Sequence, residues 1–241
     1  MRLSWRRVRA IVRKELREYR RHGSVVVATA IFPVIFLIQP LVVVFLLPAA
    51  TAAILEQWHV LLYLLGVPVL TPAILAAYAV AGERQQGSLE PVLTTPIRRE
   101  EFLLAKALAA LIPSVLIAYG VYVIFLACVV LFAQPDIAAA VVRPPDIVAQ
   151  LLFTPLFAGW SIWVGIAIST RSSDVRVAQQ LSLLADLPVL LVTSLIAFNV
   201  IHLTLALAIG LTAVLIVADT LGWRIISPMF NRERLITGTQ G

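Results

Sequence analysis

Long apolar runs alternate with short polar stretches along most of the chain, and the apolar runs set the architecture. Six of them are long enough to cross a bilayer, since a spanning helix needs about 20 mostly apolar residues. We place these spans at residues 25–47, 60–81, 107–132, 147–169, 178–198 and 201–222. The pattern predicts an all-α integral membrane protein whose six transmembrane helices occupy residues 25–223. Only Asn199 and Val200 separate the last two spans, so the hairpin between them must be very tight, or one of the two helices must be short or tilted.

The first 24 residues have a helical pattern but are not a span. Their apolar residues recur at three- and four-residue spacing with Arg and Lys on the other face, at Trp5, Val8, Ile11, Val12, Leu16 and Tyr19. This pattern is typical of an amphipathic helix that lies in the membrane interface. Two roles stay open for it: an anchor attracted to anionic lipid, and an anchor that also contacts a partner protein.

The positions of the basic residues predict the orientation in the membrane. Of 19 Lys and Arg, nine lie in residues 1–24, four in 82–106, two in 170–177 and three from residue 223 onward. Only Arg143 lies elsewhere. Basic residues concentrate in cytoplasmic segments. We therefore expect the protein to lie in the plasma or inner membrane. The parts expected to face the cytoplasm are both termini, the loops 82–106 and 170–177, and the tail 224–241.

Composition excludes several classes of protein. The chain is 61% hydrophobic and 13% charged, whereas a soluble domain carries about 25% charged residues. The single cysteine, Cys128, excludes a disulfide framework and a cysteine metal cluster. The basic residues flank the spans, which argues against nucleic-acid binding. No G-x-x-x-x-G-K-[ST] or H-E-x-x-H motif occurs, and we expect no metal site, no resident cofactor and no catalytic residue on this chain.

Helix stop and start signals alternate within the polar loop of residues 82–106. Gly87 is placed to end the helix that arrives from the second span, and Ser88 to cap a short helix at Leu89–Leu93. A second start signal leads into the third span, with a cap at Thr94 or Thr95, Pro96 as the first helical residue, and Glu100 and Glu101 early in the helix. The loop therefore predicts a one- to two-turn helix held between two hinges.

The residues of this loop resemble the cytoplasmic loop of ABC-2 type transporter permeases. The family pattern is roughly E-R-x-x-G-T-L-E-x-L-x-x-T-P, followed by a Glu and a Gly-Lys pair. The chain matches it at Glu83-Arg84, Gly87-Ser88-Leu89-Glu90, Leu93, Thr94-Thr95-Pro96-Ile97, Glu101 and Lys106. It departs from the pattern at Ser88, where Thr is usual, at Pro91 inside the short helix, and at Ala105 before Lys106.

The resemblance implies a function and a set of partners. In that family the short helix is a coupling helix that docks on a separate ATPase subunit, which binds ATP and Mg. It implies that this chain is the non-catalytic permease subunit of an ATP-driven exporter, paired with a second permease chain, as a homodimer or with a related chain, and with two ATPase copies. The resemblance assigns the ATPase interface to Glu83, Arg84, Gly87, Ser88, Leu89, Glu90, Leu93, Thr95, Pro96 and Glu101.

A secondary transporter or channel that needs no ATPase is the alternative class. Such proteins usually carry ionisable residues deep in their spans, or inverted repeats, and we find no repeat. Gln39 and Asp186 are the candidates for a substrate pathway. Three roles stay open for Asp186: facing a cavity, pairing with a basic group of a neighbouring span or protomer, or lying neutral in helix packing. Asp219 is expected to pair with Arg224.

Overall fold

The computed structural model describes residues 4–46, 52–85, 87 and 98–230, and the elements in these ranges are helical. They are α1 (Trp5–Arg21), α2 (Gly23–Leu46), α3 (Ala52–Gln57), α4 (Val60–Tyr63), α5 (Gly66–Gln85), α6 (Arg99–Phe132), α7 (Pro135–Val141), α8 (Pro144–Arg171), α9 (Val175–Ala197) and α10 (Leu205–Ile226), with a final 3-10 turn at Ser227–Phe230. Six helical segments are long and apolar enough to cross a membrane, formed by α2, α4 with α5, α6, α8, α9 and α10. The prediction of six apolar spanning helices is confirmed.

Two boundaries differ from the prediction for a physical reason. The helix that forms the third span begins at Arg99, after the predicted first residue Pro96, because the Glu101 carboxylate accepts the Arg98 N–H and caps the helix there. The sixth begins at Leu205, because the Thr204 side chain accepts a hydrogen bond from the Leu207 N–H and caps it there. Residues 198–204 therefore form a longer connection than the two residues of a tight hairpin, and the last helix begins four residues later than its predicted span.

α5 is the central helix of the bundle. In the most apolar part of the second span, which α4 and α5 form, 94% of the residues are buried, against 6% in the corresponding part of α10. α5 packs against α2, α6, α8 and α9, whereas α10 packs mainly against α8. The exposed sides of α2, α9 and α10 are rich in Val, Leu and Ile, as expected for surfaces that face lipid tails.

A small residue permits the close approach of α8 to α5. A Cβ atom built on Gly165 of α8 would lie 2.7 Å from the Cβ of Ala76 and 3.4 Å from the carbonyl oxygen of Ala73. Small residues at helix contacts are characteristic of membrane bundles, where packing replaces hydrophobic burial as the main source of stability. Any side chain at position 165 would push the two helices apart.

Short helices and an ion-pair cluster close one end of the bundle, where α3, α4 and α7 connect the spans. The Arg143 guanidinium donates hydrogen bonds to the carbonyl oxygens of Glu56 (2.7 Å) and Trp58 (2.6 Å), and to the Asp146 carboxylate at 2.9 Å. His59 Nδ1 lies 2.7 Å from the same carboxylate. This end is the one that carries the isolated basic residue, Arg143.

α1 packs along the opposite end of the spanning bundle and has two different faces. Val8 and Val12 pack with Ala105 of α6, and Tyr19 packs in a cluster with Val25 and residues of α5 and α6. The apolar side of α1 is thus covered by the protein's own helices. The sequence predicted an amphipathic helix in the membrane interface; the structure shows that its apolar face lies against protein.

Candidate functional site at the loop between the second and third spans

The described residues include both ends of the candidate coupling loop but not its centre. Residues 86 and 88–97 lie outside the described residues, so the predicted short helix at Leu89–Leu93 and the calls on Ser88, Leu89, Glu90, Leu93, Thr95 and Pro96 cannot be compared with the structure. Glu83 and Arg84 lie in the last turn of α5, and Glu101 lies in the first turn of α6.

The ends of the loop show how its flanking helices stop and start. α5 ends at Gln85, and Gly87 adopts the left-handed conformation with a φ of 66° while its N–H donates to the Arg84 carbonyl. This confirms Gly87 as part of the helix stop. α6 is capped at Arg98, not at the predicted Thr94 or Thr95, because the Glu101 carboxylate folds back to accept the Arg98 N–H at 3.3 Å.

A buried group of charged residues joins α1, α5 and α6; we call Lys14, Glu15, Glu83, Arg84 and Lys106 the charged junction. The Lys106 ammonium lies 2.8 Å from a Glu83 oxygen and 2.9 Å from a Glu15 oxygen, and all three side chains are at most 2% exposed. A buried charge without a partner costs several kcal/mol, whereas hydrogen-bonded pairs offset most of that cost. Lys106 is therefore the electrostatic centre that holds the two acids of different helices together.

Lys14 completes the network from the surface side. Its ammonium lies 3.0 Å from the same Glu83 oxygen and 3.6 Å from Glu18, and its side chain is half-exposed. Burial lowers the pKa of Lys14, but the nearby Glu83, Glu15 and Glu18 carboxylates raise it more, so the net shift is upward. Lys14 therefore stays protonated at neutral pH.

Arg84, the residue after Glu83 in the motif, joins α5 to α8. Its guanidinium donates to the carbonyl oxygens of Ser172 at 2.8 Å and Thr170 at 3.3 Å. These carbonyls are at the end of α8, where no further helical N–H is available to them. The adjacent residues Glu83 and Arg84 thus attach the last turn of α5 to three other helices.

One turn earlier, a serine hydroxyl from α8 enters the hydrogen-bond ladder of α5. Ser169 Oγ accepts hydrogen bonds from the Val80 N–H at 3.0 Å and the Ala81 N–H at 2.9 Å, and donates to the Ala77 carbonyl at 2.6 Å. In an uninterrupted helix the Ala81 N–H would bond to the Ala77 carbonyl. The Ser169 hydroxyl bonds to both of these groups, and a side chain that enters the ladder in this way is a recognised cause of helix bending.

Glu101 fixes the start of α1 to the start of α6. Its carboxylate accepts the backbone N–H of Ser4 at 2.9 Å and lies 3.5 Å from an Arg7 nitrogen. The side chain is 1% exposed. Glu83 and Glu101, both assigned to an ATPase interface from the sequence, are thus buried against helices of the same chain. Their role in that interface remains a prediction.

The residues that sequence reasoning missed are Glu15 and Ser169. Glu15 lies between Val12 and Tyr19 on the buried face of α1, and an acid in an apolar stripe is a signal that the sequence offered. Ser169 carried no such signal, because nothing in the sequence shows that a serine near the end of one span faces the backbone of another. Lys106 was in the matched motif but without an assigned role.

The two candidate pathway residues lie in different surroundings. Asp186 of α9 is fully buried and accepts a hydrogen bond from the Ser161 hydroxyl of α8 at 2.7 Å. Among the described residues no basic side chain pairs with it. Gln39 is exposed on α2, where its side-chain oxygen accepts the Tyr63 hydroxyl. A pathway role stays a prediction for both.

The expected pair of Asp219 and Arg224 was wrong. No ion pair joins them in the part of the chain that the structure describes. The Asp219 carboxylate lies instead against the α8 backbone at Gly159, where a built Cβ would be 2.7 Å from its nearer oxygen. The missing side chain of Gly159 makes the space that this carboxylate occupies.

Comparison with known proteins agrees with the motif. A family model described as ABC-2 family transporter protein matches residues 9–214, which include the whole loop and every member of the charged junction. No curated protein matches the chain.

Proposed function

Because the chain belongs to the ABC-2 transporter family, we propose that it is the permease subunit of an ATP-driven exporter in the plasma or inner membrane, with both termini in the cytoplasm. A separate ATPase subunit, present in two copies with its own ATP and Mg, supplies the energy. Two permease chains form the substrate pathway between them. A phosphate-binding loop is absent from the sequence, which agrees with hydrolysis on another polypeptide.

The observation that carries this proposal is the attachment of both ends of residues 86–98. On one side, Glu83 bonds to Lys106 of α6 and Lys14 of α1. On the other, Glu101 holds the start of α1. A force applied to the loop is transmitted to several helices at once, which is what a coupling element requires.

We propose separate roles for the buried and the central motif residues. Glu83, Arg84 and Glu101 position the helices at the ends of the loop. Contact with the ATPase belongs to the central residues of the loop, at Ser88, Leu89, Glu90, Leu93, Thr95 and Pro96, with Gly87 supplying the turn. Closure of the ATPase on nucleotide pushes the loop, and the attached spans switch between inward-facing and outward-facing arrangements of a pathway that includes Gln39 and Asp186.

The test uses the permease assembled with its ATPase in proteoliposomes. Leu93→Asp and Glu90→Lys are expected to lower ATP hydrolysis by the complex several-fold while leaving membrane insertion unchanged, because both alter the proposed docking surface. Glu100→Lys is the matched control, since Glu100 is an exposed acid on α6. Equal hydrolysis in all variants would contradict the assigned interface.

A second measurement addresses the alternative class. Transport by the purified permease alone, in ATP-free vesicles with an ion gradient, would identify a secondary transporter or channel instead. Asp186, a fully buried acid in a spanning helix, is the feature that favours this alternative, because intramembrane acids often serve ion coupling.

A further inference from the structure

α1 presents a continuous arginine surface on the side opposite to its buried face. Val8, Val12, Glu15 and Tyr19 are buried. The opposite side carries six exposed arginines, which we call the arginine stripe: Arg6, Arg9, Arg13, Arg17, Arg20 and Arg21. At about 100° per residue they fall within an arc of about 120°, and at ~1.5 Å per residue they extend over ~22 Å.

Among the described residues, no acid neutralises the arginine stripe. Within the described ranges, none of the six guanidinium groups makes an ion pair or a side-chain hydrogen bond. The two acids of α1 are engaged elsewhere, since Glu15 pairs with Lys106 and Glu18 pairs with Lys14. Six like charges along one helix face repel one another, so the stripe gains free energy from an anionic partner.

The position of α1 indicates which anion is nearest. α1 is followed by His22 and then directly by α2, the first spanning helix. The first turns of α2 expose Val26 (48%), Val27 (61%) and Ile31 (48%), and exposed apolar residues on a spanning helix face lipid. Arg20 and Arg21 therefore lie within two turns, along the chain, of exposed apolar residues at the end of a spanning helix, and the ends of spanning helices are where lipid headgroups lie in a bilayer.

We propose that the arginine stripe binds the phosphate groups of anionic lipids in the adjacent leaflet. A guanidinium group matches a phosphate with two parallel hydrogen bonds, and basic segments beside a spanning helix are attracted to anionic leaflets. The mode of binding differs from that of an ordinary interfacial helix, because Val8, Val12 and Tyr19 on the apolar face of α1 pack against α5 and α6, while Trp5 at its start stays exposed.

The surface has a consequence for the charged junction. α1 contacts Glu83 through Lys14 and Glu101 through the Ser4 N–H. Lipid bound to the arginine stripe therefore anchors both ends of residues 86–98 to the bilayer surface. The lipid site itself does not depend on ATP coupling, so it can be tested without the ATPase.

The test is lipid retention by the full-length purified protein. The protein is equilibrated in mixed micelles with equimolar fluorescent phosphatidylglycerol and phosphatidylcholine, and the lipids that co-purify are counted. Wild type should retain the anionic lipid preferentially. The variant with Arg9→Gln, Arg13→Gln and Arg17→Gln should lose roughly tenfold or more of this preference, since each basic residue near an anionic surface strengthens binding about fivefold.

A charge-matched control separates a site from general positive charge. The variant with Arg171→Gln, Arg176→Gln and Arg224→Gln removes three exposed arginines that flank other spans. It should lose clearly less of the preference than the first variant, because these arginines do not share one helix face. Replacing Arg9, Arg13 and Arg17 by Lys should keep most of the preference, and raising the NaCl concentration should weaken it in wild type. Equal losses in both Gln variants, or no loss in the first, would overturn the proposal. Loss of ATPase co-purification without loss of lipid preference would show that the stripe binds protein instead.

Discussion

At the scale of the residue, Ser169 illustrates how one hydroxyl can join two membrane helices through their backbones. Its oxygen takes two N–H groups of α5 and its hydrogen goes to the Ala77 carbonyl. Water is scarce in the apolar part of the bilayer, so backbone groups displaced from a helix ladder must find a partner within the protein. Ser169 is that partner, and it makes the end of α5 depend on α8.

Ser169→Ala is expected to destabilise the protein by about 1–2 kcal/mol, because it removes three hydrogen bonds and leaves at least one N–H without its acceptor. The measurement is the thermal unfolding midpoint in detergent. Ser182→Ala is the matched control, since Ser182 is equally buried but its hydroxyl bonds only to the Ala178 carbonyl of its own helix. Equal shifts for the two variants would show that the contact between helices adds nothing.

Lys106 provides a second prediction at this scale. Lys106→Met leaves Glu15 and Glu83 buried with only the half-exposed Lys14 as an ammonium partner, so it should cost about 3 kcal/mol. Adding Glu83→Gln to Lys106→Met removes one of the stranded charges, so the double variant should lose less than the sum of the two single losses. The free energies of unfolding of the four proteins form a double-mutant cycle. Strict additivity would mean that Glu83 and Lys106 do not interact.

At the scale of the element, the length and periodicity of the apolar runs predicted which helices form. Local contacts set the residues at which each helix begins and ends. The six spans follow from long runs of Val, Leu, Ile and Ala, because about 20 consecutive apolar residues are enough for a helix to cross a bilayer. The start signals at Thr94, Thr95 and Pro96 predicted a helix that runs into the third span, but its first residue is Arg99, because Arg98 and Glu101 form the cap. Glu101 is also held by the distant Ser4 N–H, a contact that a local pattern does not contain.

The same distinction applies to the candidate site. The motif located Glu83, Arg84 and Glu101, but not their partners, because Glu15 and Ser169 come from segments far away in sequence. The sequence also placed the apolar face of α1 toward lipid, since periodicity identifies an apolar face without saying what covers it. Protein and lipid tails are equally suitable covers for Val8 and Val12.

Helix packing provides a prediction that compares two glycines. Gly165→Ala should destabilise the protein by about 1–3 kcal/mol, because the new methyl group overlaps Ala76 and forces α8 away from α5. Gly210→Ala on α10 has no atom within 4 Å of the new methyl group. It should be neutral or stabilise the protein by up to about 1 kcal/mol, since Ala favours helix more than Gly. The measurement is the thermal unfolding midpoint of each variant in detergent. A larger loss of stability for Gly210→Ala than for Gly165→Ala would contradict the packing of α8 on α5.

At the scale of the whole molecule, the two ends of the central helix are held differently. At one end, Arg143, Asp146 and His59 connect the short helices. At the other, Glu83 and Arg84 attach α5 to α1, α6 and α8. α5 is therefore restrained at both ends while its middle packs through small side chains, an arrangement suited to movement as a rigid body.

Arg84→Gln tests whether the attachment of α5 to α8 transmits force. The change removes a guanidinium that donates to the partly buried carbonyls of Thr170 and Ser172, so stability should fall by about 1 kcal/mol. We expect the complex with the ATPase to assemble normally and to hydrolyse ATP several-fold more slowly. Arg171→Gln, an exposed arginine in the last turn of α8, should leave hydrolysis unchanged. Normal hydrolysis by Arg84→Gln would exclude α8 from the coupling route.

The helix ends that flank residues 88–97 have an evolutionary consequence. The Gly87 N–H is bound to the Arg84 carbonyl, and the Arg98 N–H is bound to Glu101, so each of these helix ends has a hydrogen bond that does not involve residues 88–97. A substitution in that segment leaves both of these bonds in place. Under the proposed function, duplicated copies of this gene can therefore change the ATPase contact at the centre of the loop while the two helix ends stay the same.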